Sequence, residues 1–128
     1  MLLVIDVGNT NITLGVFDKE ELFGTFRMKT KQPRTSDEYG FMLKTFLDNS
    51  NIHKADVDDV IVSSVVPKVM HSFRNGIKKF MEIEPIMVAP GIKSGISVQL
   101  ENPKSVGSDR IADCAGAFYE YGGPVLIV

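Results

Sequence analysis

The chain has 128 residues, 44% hydrophobic and 23% charged, which is enough for one folded domain and ordinary for a globular protein. Its 14 basic and 16 acidic residues give a formal net charge of −2 without a basic run, which argues against a nucleic-acid partner. No apolar stretch approaches the ~18 residues of a membrane span, and no basic segment or cleavage site of a signal peptide marks the N-terminus, so we expect no membrane partner.

The first two predicted elements form a β-hairpin at the N-terminus. Residues 1–5 are an uninterrupted apolar run, which is typical of a buried strand. The β-branched residues of segment 12–17 are typical of its hairpin partner. The loop between them contains the carboxylate of Asp6, a glycine at position 8 and three amide or hydroxyl side chains.

Two interpretations of this loop are open. Its residues suit a metal-bound polyphosphate, because Mg²⁺ prefers carboxylate and phosphate oxygens and a glycine lets backbone N–H groups approach a phosphate. The loop lacks the GxxxxGK[ST] pattern of a P-loop, and a strand rather than a helix follows it. An ordinary tight turn explains the same residue types about equally well, so a second, independent site has to decide.

A third strand and the first helix come next. Residues 22–28 predict a strand that completes an antiparallel meander. Thr35 and Glu38 have the spacing of a capping box, in which each side chain bonds the other residue's backbone N–H at a helix start. Apolar residues then recur at helical spacing, and the helix is expected to end near residues 49–51. These apolar residues are Tyr39, Met42, Leu43, Phe46 and Leu47.

The second half of the chain alternates strands and helices. A buried strand is predicted at residues 60–62, a helix beginning with Pro67 at its first position, and a short strand at residues 85–88. A Gly- and Pro-rich loop follows over residues 89–105, with a short strand expected at residues 96–100. This alternation predicts an α/β domain with a mixed sheet.

The last predicted elements are a helix over residues 106–121 and a terminal strand over residues 124–128. Alanine and glycine at positions 112, 115, 116 and 117 predict close packing of this helix against the sheet, with Cys114 near the packed face. A domain usually ends in an exposed polar segment, so we expect the chain to be the N-terminal part of a longer protein. A single cysteine makes no internal disulfide, which suits a cytoplasmic protein.

The second candidate site lies in the first turn of that helix. Asp109 is electrostatically favourable at a helix N-terminus, by roughly 0.3–1 kcal/mol, so it has a structural explanation. Arg110 has no such explanation, because a cation is disfavoured there. An anionic partner accounts for it better, either Asp109, Glu101 or the carboxylate of a ligand.

Four fragments together give the chain a family resemblance. They are DVGNTN at 6–11, the TxxxRTxDEY pattern at 30–39, SSVVP at 63–67 and NPxxVGSDR at 102–110. Each is weak alone, but in this order they resemble type III pantothenate kinases. The resemblance implies an α/β, ribonuclease H-like mixed sheet with flanking helices, the first half of an actin-like ATPase fold shared with acetate and sugar kinases and Hsp70. Residues 1–128 would be the N-terminal domain, and a second domain would follow.

The resemblance also implies site residues. The catalytic residue is Asp109, similar to the family's general base, and Asp6 would hold Mg²⁺ with ATP. The implied ATP-binding residues are Asp6, Val7, Gly8, Asn9, Thr10, Asn11, Ile12 and Thr13. The implied pantothenate-binding residues are Leu100, Gly107, Ser108, Asp109 and Arg110. Leu100 departs from the family, which has a hydrogen-bonding tyrosine there. A monovalent cation, K⁺ or NH₄⁺, is also expected, with its ligand beyond Val128.

The implied function is ATP-dependent phosphorylation of pantothenate to 4′-phosphopantothenate, the first step of coenzyme A biosynthesis, in a homodimeric enzyme. The 128 residues alone are expected to have little activity, because the second half of the nucleotide site would be missing. The alternative is a truncated or degenerate domain of the same fold that binds nucleotide or a protein without catalysis. Another phosphotransferase or polyphosphatase of this fold would share the hairpin loop but would not need NPxxVGSDR.

Overall fold

A computed structural model describes residues 1–128 and contains five strands and three α-helices. The strands are β1 (Leu2–Val7), β2 (Asn11–Asp18), β3 (Glu21–Lys29), β4 (Asp59–Ser64) and β5 (Ile86–Met87). The helices are α1 (Ser36–Asn49), α2 (Pro67–Met81) and α3 (Ser108–Tyr121), and short 3₁₀ turns occupy Lys54–Asp56 and Pro103–Ser105. No helix combines the length and the apolar character needed to cross a membrane.

The five strands form one mixed sheet in the order β3-β2-β1-β4-β5. The first three are an antiparallel meander, whereas β4 is parallel to β1 and β5 is parallel to β4. The predicted ribonuclease H-like mixed sheet is therefore confirmed. In this register Asp6 lies between Thr13 of β2 and Ser63 of β4. Because neighbouring residues in register point to the same face, these three side chains share one face of the sheet.

Helices α1 and α2 cover the opposite face of the sheet. Leu3, Ile5 and Val7 are fully buried there, and they pack in one cluster with apolar residues of both helices. Tyr39 of α1 meets Phe73 of α2 edge to face, with the ring centroids 4.7 Å apart. Side chains alternate along a strand, so burial of Leu3, Ile5 and Val7 on the helix side leaves Asp6 on the other side.

The helix starts follow the sequence signals. Thr35 Oγ1 accepts from the N–H of Glu38 at 3.2 Å, and the N–H of Thr35 donates to Glu38 Oε2 at 2.8 Å. The predicted capping box is therefore confirmed. Pro67 occupies the first turn of α2, also as predicted, because a missing N–H costs nothing at that position.

Two predicted strands are absent. Residues 96–100 and 124–128 have no strand conformation and pair with no other segment. A strand needs a partner for its backbone hydrogen bonds, and the outer edge of the sheet is β5, which has only two paired residues. Apolar composition alone predicted both strands, and it says nothing about whether a partner edge is present. The strand predicted at residues 85–88 is also shorter than expected.

The predicted packing of α3 is only partly correct. Ser108 and Ile111, near its start, are buried, but Phe118 is 57% exposed and Tyr119 is 78% exposed. A Cβ atom added at Gly116 would have no neighbour within 4 Å, so the absence of a side chain there does not serve close packing. Cys114 is half-buried rather than buried. The helix meets the sheet at β4 through its N-terminal half, and no described element covers the rest.

Candidate active site at the ends of β1 and β4

The hairpin loop between β1 and β2 is held closed by hydrogen bonds. The N–H of Gly8 donates to the carbonyl of Asn11 at 2.9 Å, and a Cβ atom at position 8 would lie only 3.2 Å from that oxygen. Thr30, which directly follows β3, holds the loop from the side. Its Oγ1 donates to the carbonyl of Gly8 at 2.7 Å, and its N–H donates to the carbonyl of Thr10 at 3.0 Å. The loop is therefore braced by a neighbouring strand, which an isolated turn would not need.

The predicted ATP-binding residues differ in how accessible their side chains are. Asn9 and Thr10 are exposed at the tip of the loop, and Gly8 and Asn11 are half-exposed, so all four are accessible to a ligand. The side chains of Val7 and Ile12 are fully buried in the core beneath the helices. Of these two residues, only the backbone atoms could contact a nucleotide. Thr13 is half-buried and lies beside Asp6 on the face opposite α1 and α2.

Asp6 lies close enough to Asp109 and Asp113 for their charges to affect its pKa. Partial desolvation raises the pKa of Asp6, and the negative charges of Asp109 and Asp113 raise it further. The nearby Ser63 hydroxyl lowers this pKa in part. Ser63 Oγ is buried but forms no hydrogen bond of normal geometry with any group. The structure therefore brings Asp6 and Asp109 together, although more than 100 residues of sequence separate them.

The start of α3 is fastened to the end of β4. Ser108 Oγ donates to the carbonyl of Ser64 at 2.6 Å and accepts from the N–H of Ser64 at 3.3 Å. Asp109 is half-buried, and its Oδ1 accepts from the N–H of Arg110 at 2.8 Å. A Cβ atom at Gly107 would lie 2.5 Å from Asp109 Oδ1, so a larger residue at this position would displace the carboxylate of Asp109. These contacts fix the carboxylate of Asp109 near the end of β1.

The other two predicted substrate residues are exposed. Arg110 forms no ion pair with any carboxylate, so neither Asp109 nor Glu101 is the partner suggested for its charge. Leu100 is 56% exposed in the irregular segment between β5 and α3. Both side chains are therefore free to contact a ligand, and neither contributes to the core.

The site fits a magnesium ion that arrives with a polyphosphate. No group of three or more His, Cys, Asp or Glu side chains is arranged to hold a metal by itself. Magnesium usually binds through one or two carboxylates together with phosphate oxygens and waters, so a complete protein cage is not expected. The pKa of Asp6 is raised first by desolvation and then by the negative charges of Asp109 and Asp113, and a divalent cation would neutralise that negative charge.

The largest groove of the molecule lies on the other side of the hairpin loop. It has a volume of about 870 Å³ and reaches Asn9 and Thr30, but Asp6, Asp109 and Arg110 do not line it. Tyr39 of α1 and Val69 of α2 do, so it opens on the helix-covered face. The sequence signal for this groove is the polar, basic segment at residues 29–34, which its residues alone suggest to be a solvated loop and which the family resemblance suggests to border the active-site cleft.

Comparison with known protein families gives a single answer. A profile of the type III pantothenate kinases matches residues 2–128. The chain belongs to this family. Type III pantothenate kinases from Bifidobacterium longum (strain DJO10A) and Agathobacter rectalis are 58% and 51% identical to it over 127 and 128 residues. The enzyme of the same name from Listeria welshimeri is 44% identical over 128 residues.

The chain spans about half the length of these curated family members. It covers 50% of the Bifidobacterium longum protein and 49% of each of the other two, whereas 99–100% of the chain is matched. Among solved structures, a putative N-acetylglucosamine kinase from Porphyromonas gingivalis is 15% identical and aligns with a TM-score of 0.49 over 68% of this chain and 33% of that one. YeaZ from Pseudomonas aeruginosa is 14% identical, with a TM-score of 0.46 over 70% of this chain and 43% of that one.

Proposed function

We propose that this chain is the N-terminal domain of a type III pantothenate kinase and carries the groups that start phosphoryl transfer from ATP to pantothenate. The carrying observation is that Asp109, at the start of α3, lies near Asp6, at the end of β1, because Ser63 is in register with Asp6 and the next residue, Ser64, is hydrogen-bonded to Ser108. One carboxylate belongs to a glycine-containing loop suited to phosphates, and the other lies beside an arginine without a carboxylate partner. The phosphate donor and a substrate that has both a carboxylate and a hydroxyl group would meet between these two aspartates.

Each residue has a defined role in the proposed reaction. The loop from Gly8 to Asn11 presents the backbone N–H groups of Asn9 and Thr10 and its polar side chains to the β- and γ-phosphates. Asp109 accepts the proton of the primary hydroxyl of pantothenate while that oxygen forms a bond to the γ-phosphorus. The bond from the γ-phosphorus to the bridging oxygen breaks, and ADP leaves. Phosphoryl transfer has a loose transition state, so positioning and charge neutralisation supply most of the rate enhancement.

Two further groups surround this step. Magnesium held by Asp6 would neutralise charge on the transferring phosphoryl group. Arg110 would pair with the pantothenate carboxylate, because a guanidinium binds a carboxylate through two parallel hydrogen bonds. Leu100 would contact the apolar part of the substrate without donating a hydrogen bond.

The remaining parts of the proposal rest on the family resemblance. A monovalent cation, K⁺ or NH₄⁺, would bind through a residue beyond Val128. We also propose a homodimer in the cytoplasm, and coenzyme A biosynthesis as the pathway that uses the product.

The function is tested with the product of the complete reading frame, Mg-ATP, potassium and pantothenate, with 4′-phosphopantothenate detected by mass. We expect product that depends on both Mg-ATP and the protein. Asp6→Asn should weaken Mg-ATP binding at least about tenfold, because it removes a charged metal ligand. Asp59→Asn is the matched control, since Asp59 is an exposed aspartate at the opposite end of the sheet, in register with Leu2. Nucleotide binding without any product would instead support the non-catalytic alternative.

A further inference from the structure

The groove on the helix side of the hairpin loop is separate from the site proposed for phosphoryl transfer. Asp6 and its neighbours in register lie on the face away from α1 and α2, whereas the groove is lined by residues of both helices. Its volume of about 870 Å³ is within the range of small-molecule sites, roughly 300–1,000 Å³. The two sites share only the hairpin loop, through Asn9.

The charge of this groove is entirely positive. Lys31, Arg34 and Lys68 line it, and no aspartate or glutamate does. Lys31 and Lys68 form no ion pair and no side-chain hydrogen bond. Three cations in one concave site without a carboxylate repel one another, so an anion bound among them would be stabilised.

Arg34 also favours a bound anion, because it is half-buried and its guanidinium still has no carboxylate partner. Its Nη1 donates to the carbonyl of Lys29 at 2.6 Å, and its guanidinium lies 6.0 Å from the centre of the Tyr39 ring. The acidic groups nearby are already engaged. Asp37 pairs with Lys79 at 2.6 Å, and Glu38 accepts from the N–H of Thr35. The guanidinium is therefore held in place by neutral groups, with its charge available to a ligand.

The groove also has an apolar part. Pro33, Val66 and Val69 line it beside the cations. The N-terminus of α2, which begins there, has no side-chain cap and no acidic residue in its first turn. We infer that this groove is a second anion site that binds a phosphorylated organic molecule. The phosphate would lie against Lys31, Arg34 and Lys68, and the organic part would lie against the three apolar residues.

The test uses phenyl phosphate as the probe and the product of the complete reading frame, kept saturated with Mg²⁺, a non-hydrolysable ATP analogue and pantothenate. Saturation blocks both the phosphate loop and the proposed pantothenate site at Arg110, so any probe bound by titration calorimetry occupies another site. We expect saturable binding that weakens as salt is raised, because the contacts are charged. Inorganic phosphate should bind more weakly than phenyl phosphate, since it cannot contact the apolar part. This measurement does not depend on kinase turnover, so its failure is distinguishable from failure of the proposed function.

The decisive variant is the double substitution Lys31→Gln and Lys68→Gln. Both lysines are exposed and make no hydrogen bond, so the fold should survive, and circular dichroism checks this. We expect phenyl phosphate affinity to fall at least about tenfold. The matched control is Lys19→Gln with Lys93→Gln, which removes the same charge from two exposed, unpaired lysines elsewhere and should leave the affinity unchanged.

Three results would overturn this inference. The first is no phenyl phosphate binding by the analogue-saturated protein up to about 10 mM, a concentration that detects even weak sites. The second is equal weakening by the groove variant and the control variant, which would indicate a general charge effect. The third is equal affinity for phenyl phosphate and inorganic phosphate, which would remove the role of the apolar residues.

Discussion

Thr30 gives the sharpest prediction about the hairpin loop. Thr30→Val keeps the branched shape of the side chain but removes the 2.7 Å hydrogen bond to the carbonyl of Gly8. A typical net hydrogen bond contributes about 0.5–1.5 kcal/mol, and an acceptor left buried without a partner costs about 1–3 kcal/mol. Gly8 is half-buried, so water can reach its carbonyl in part. We therefore expect the free energy of unfolding to fall by about 1–2 kcal/mol.

The same substitution should loosen the loop that we propose for phosphate binding. An effect of about 1 kcal/mol on loop geometry corresponds to roughly a fivefold loss of ATP affinity. Urea unfolding measures the first effect and titration with Mg-ATP measures the second. Thr25→Val is the matched control, because Thr25 lies exposed on β3 without a side-chain hydrogen bond, and its effect should stay within about 0.5 kcal/mol. Unchanged stability and unchanged ATP affinity in Thr30→Val would refute the bracing role.

Three further predictions concern stability. Asp6→Asn should raise the free energy of unfolding at pH 7, measured by urea titration. The pKa of Asp6 is raised in the folded state, so above the ordinary aspartate pKa the ionised carboxylate destabilises the fold. The stability gained by Asp6→Asn should therefore disappear near about pH 3, where Asp6 is protonated in both the folded and the unfolded state. Ser108→Ala should lower the free energy of unfolding by about 1–2 kcal/mol, because both hydrogen bonds to Ser64 are lost. It should also lower the turnover of pantothenate. Gly76→Ala should lower the free energy of unfolding by about 1–3 kcal/mol, and with it the melting temperature, because it overpacks the contact between α1 and α2, whereas Gly116→Ala, in open space, should not.

The local parts of the fold could be predicted from the sequence because their causes are local. The hairpin follows from two apolar runs around a polar turn, and the start of α1 follows from Thr35 and Glu38. The start of α2 follows from Pro67. In each case the residues that determine the structure are within a few positions of it. The buried faces of α1 and α2 follow from helical spacing for the same reason.

The failed predictions depend on partners distant in sequence. Residues 96–100 are apolar enough for a strand, but pairing requires a free sheet edge beside them. The C-terminal half of α3 has an apolar face, yet Phe118 and Tyr119 are exposed because no described element lies over them. Periodicity identifies a face that can be buried and gives no information about what would cover it.

The candidate site shows the same division. Asp6, Gly8 and Asp109 were singled out from residue type and from the family resemblance. Sequence reasoning did not find the bracing role of Thr30, because its place after a strand and in the TxxxRTxDEY fragment does not identify the carbonyl it bonds. The cationic groove was missed as well, since Lys31 and Lys68 come together only through the packing of the β3–α1 connection against α2.

The most direct measurement compares Asp109→Asn with Asp113→Asn in steady-state phosphorylation of pantothenate by the product of the complete reading frame. Both carboxylates affect the pKa of Asp6, so both lie near the site, and they are one helical turn apart. A general base typically contributes a 10²–10⁴-fold rate enhancement, so Asp109→Asn should lower kcat by at least about 100-fold. Asp113→Asn should stay within about threefold of the wild type, because we assign it no proton transfer. Equal losses in the two variants, or turnover that survives Asp109→Asn, would contradict the account.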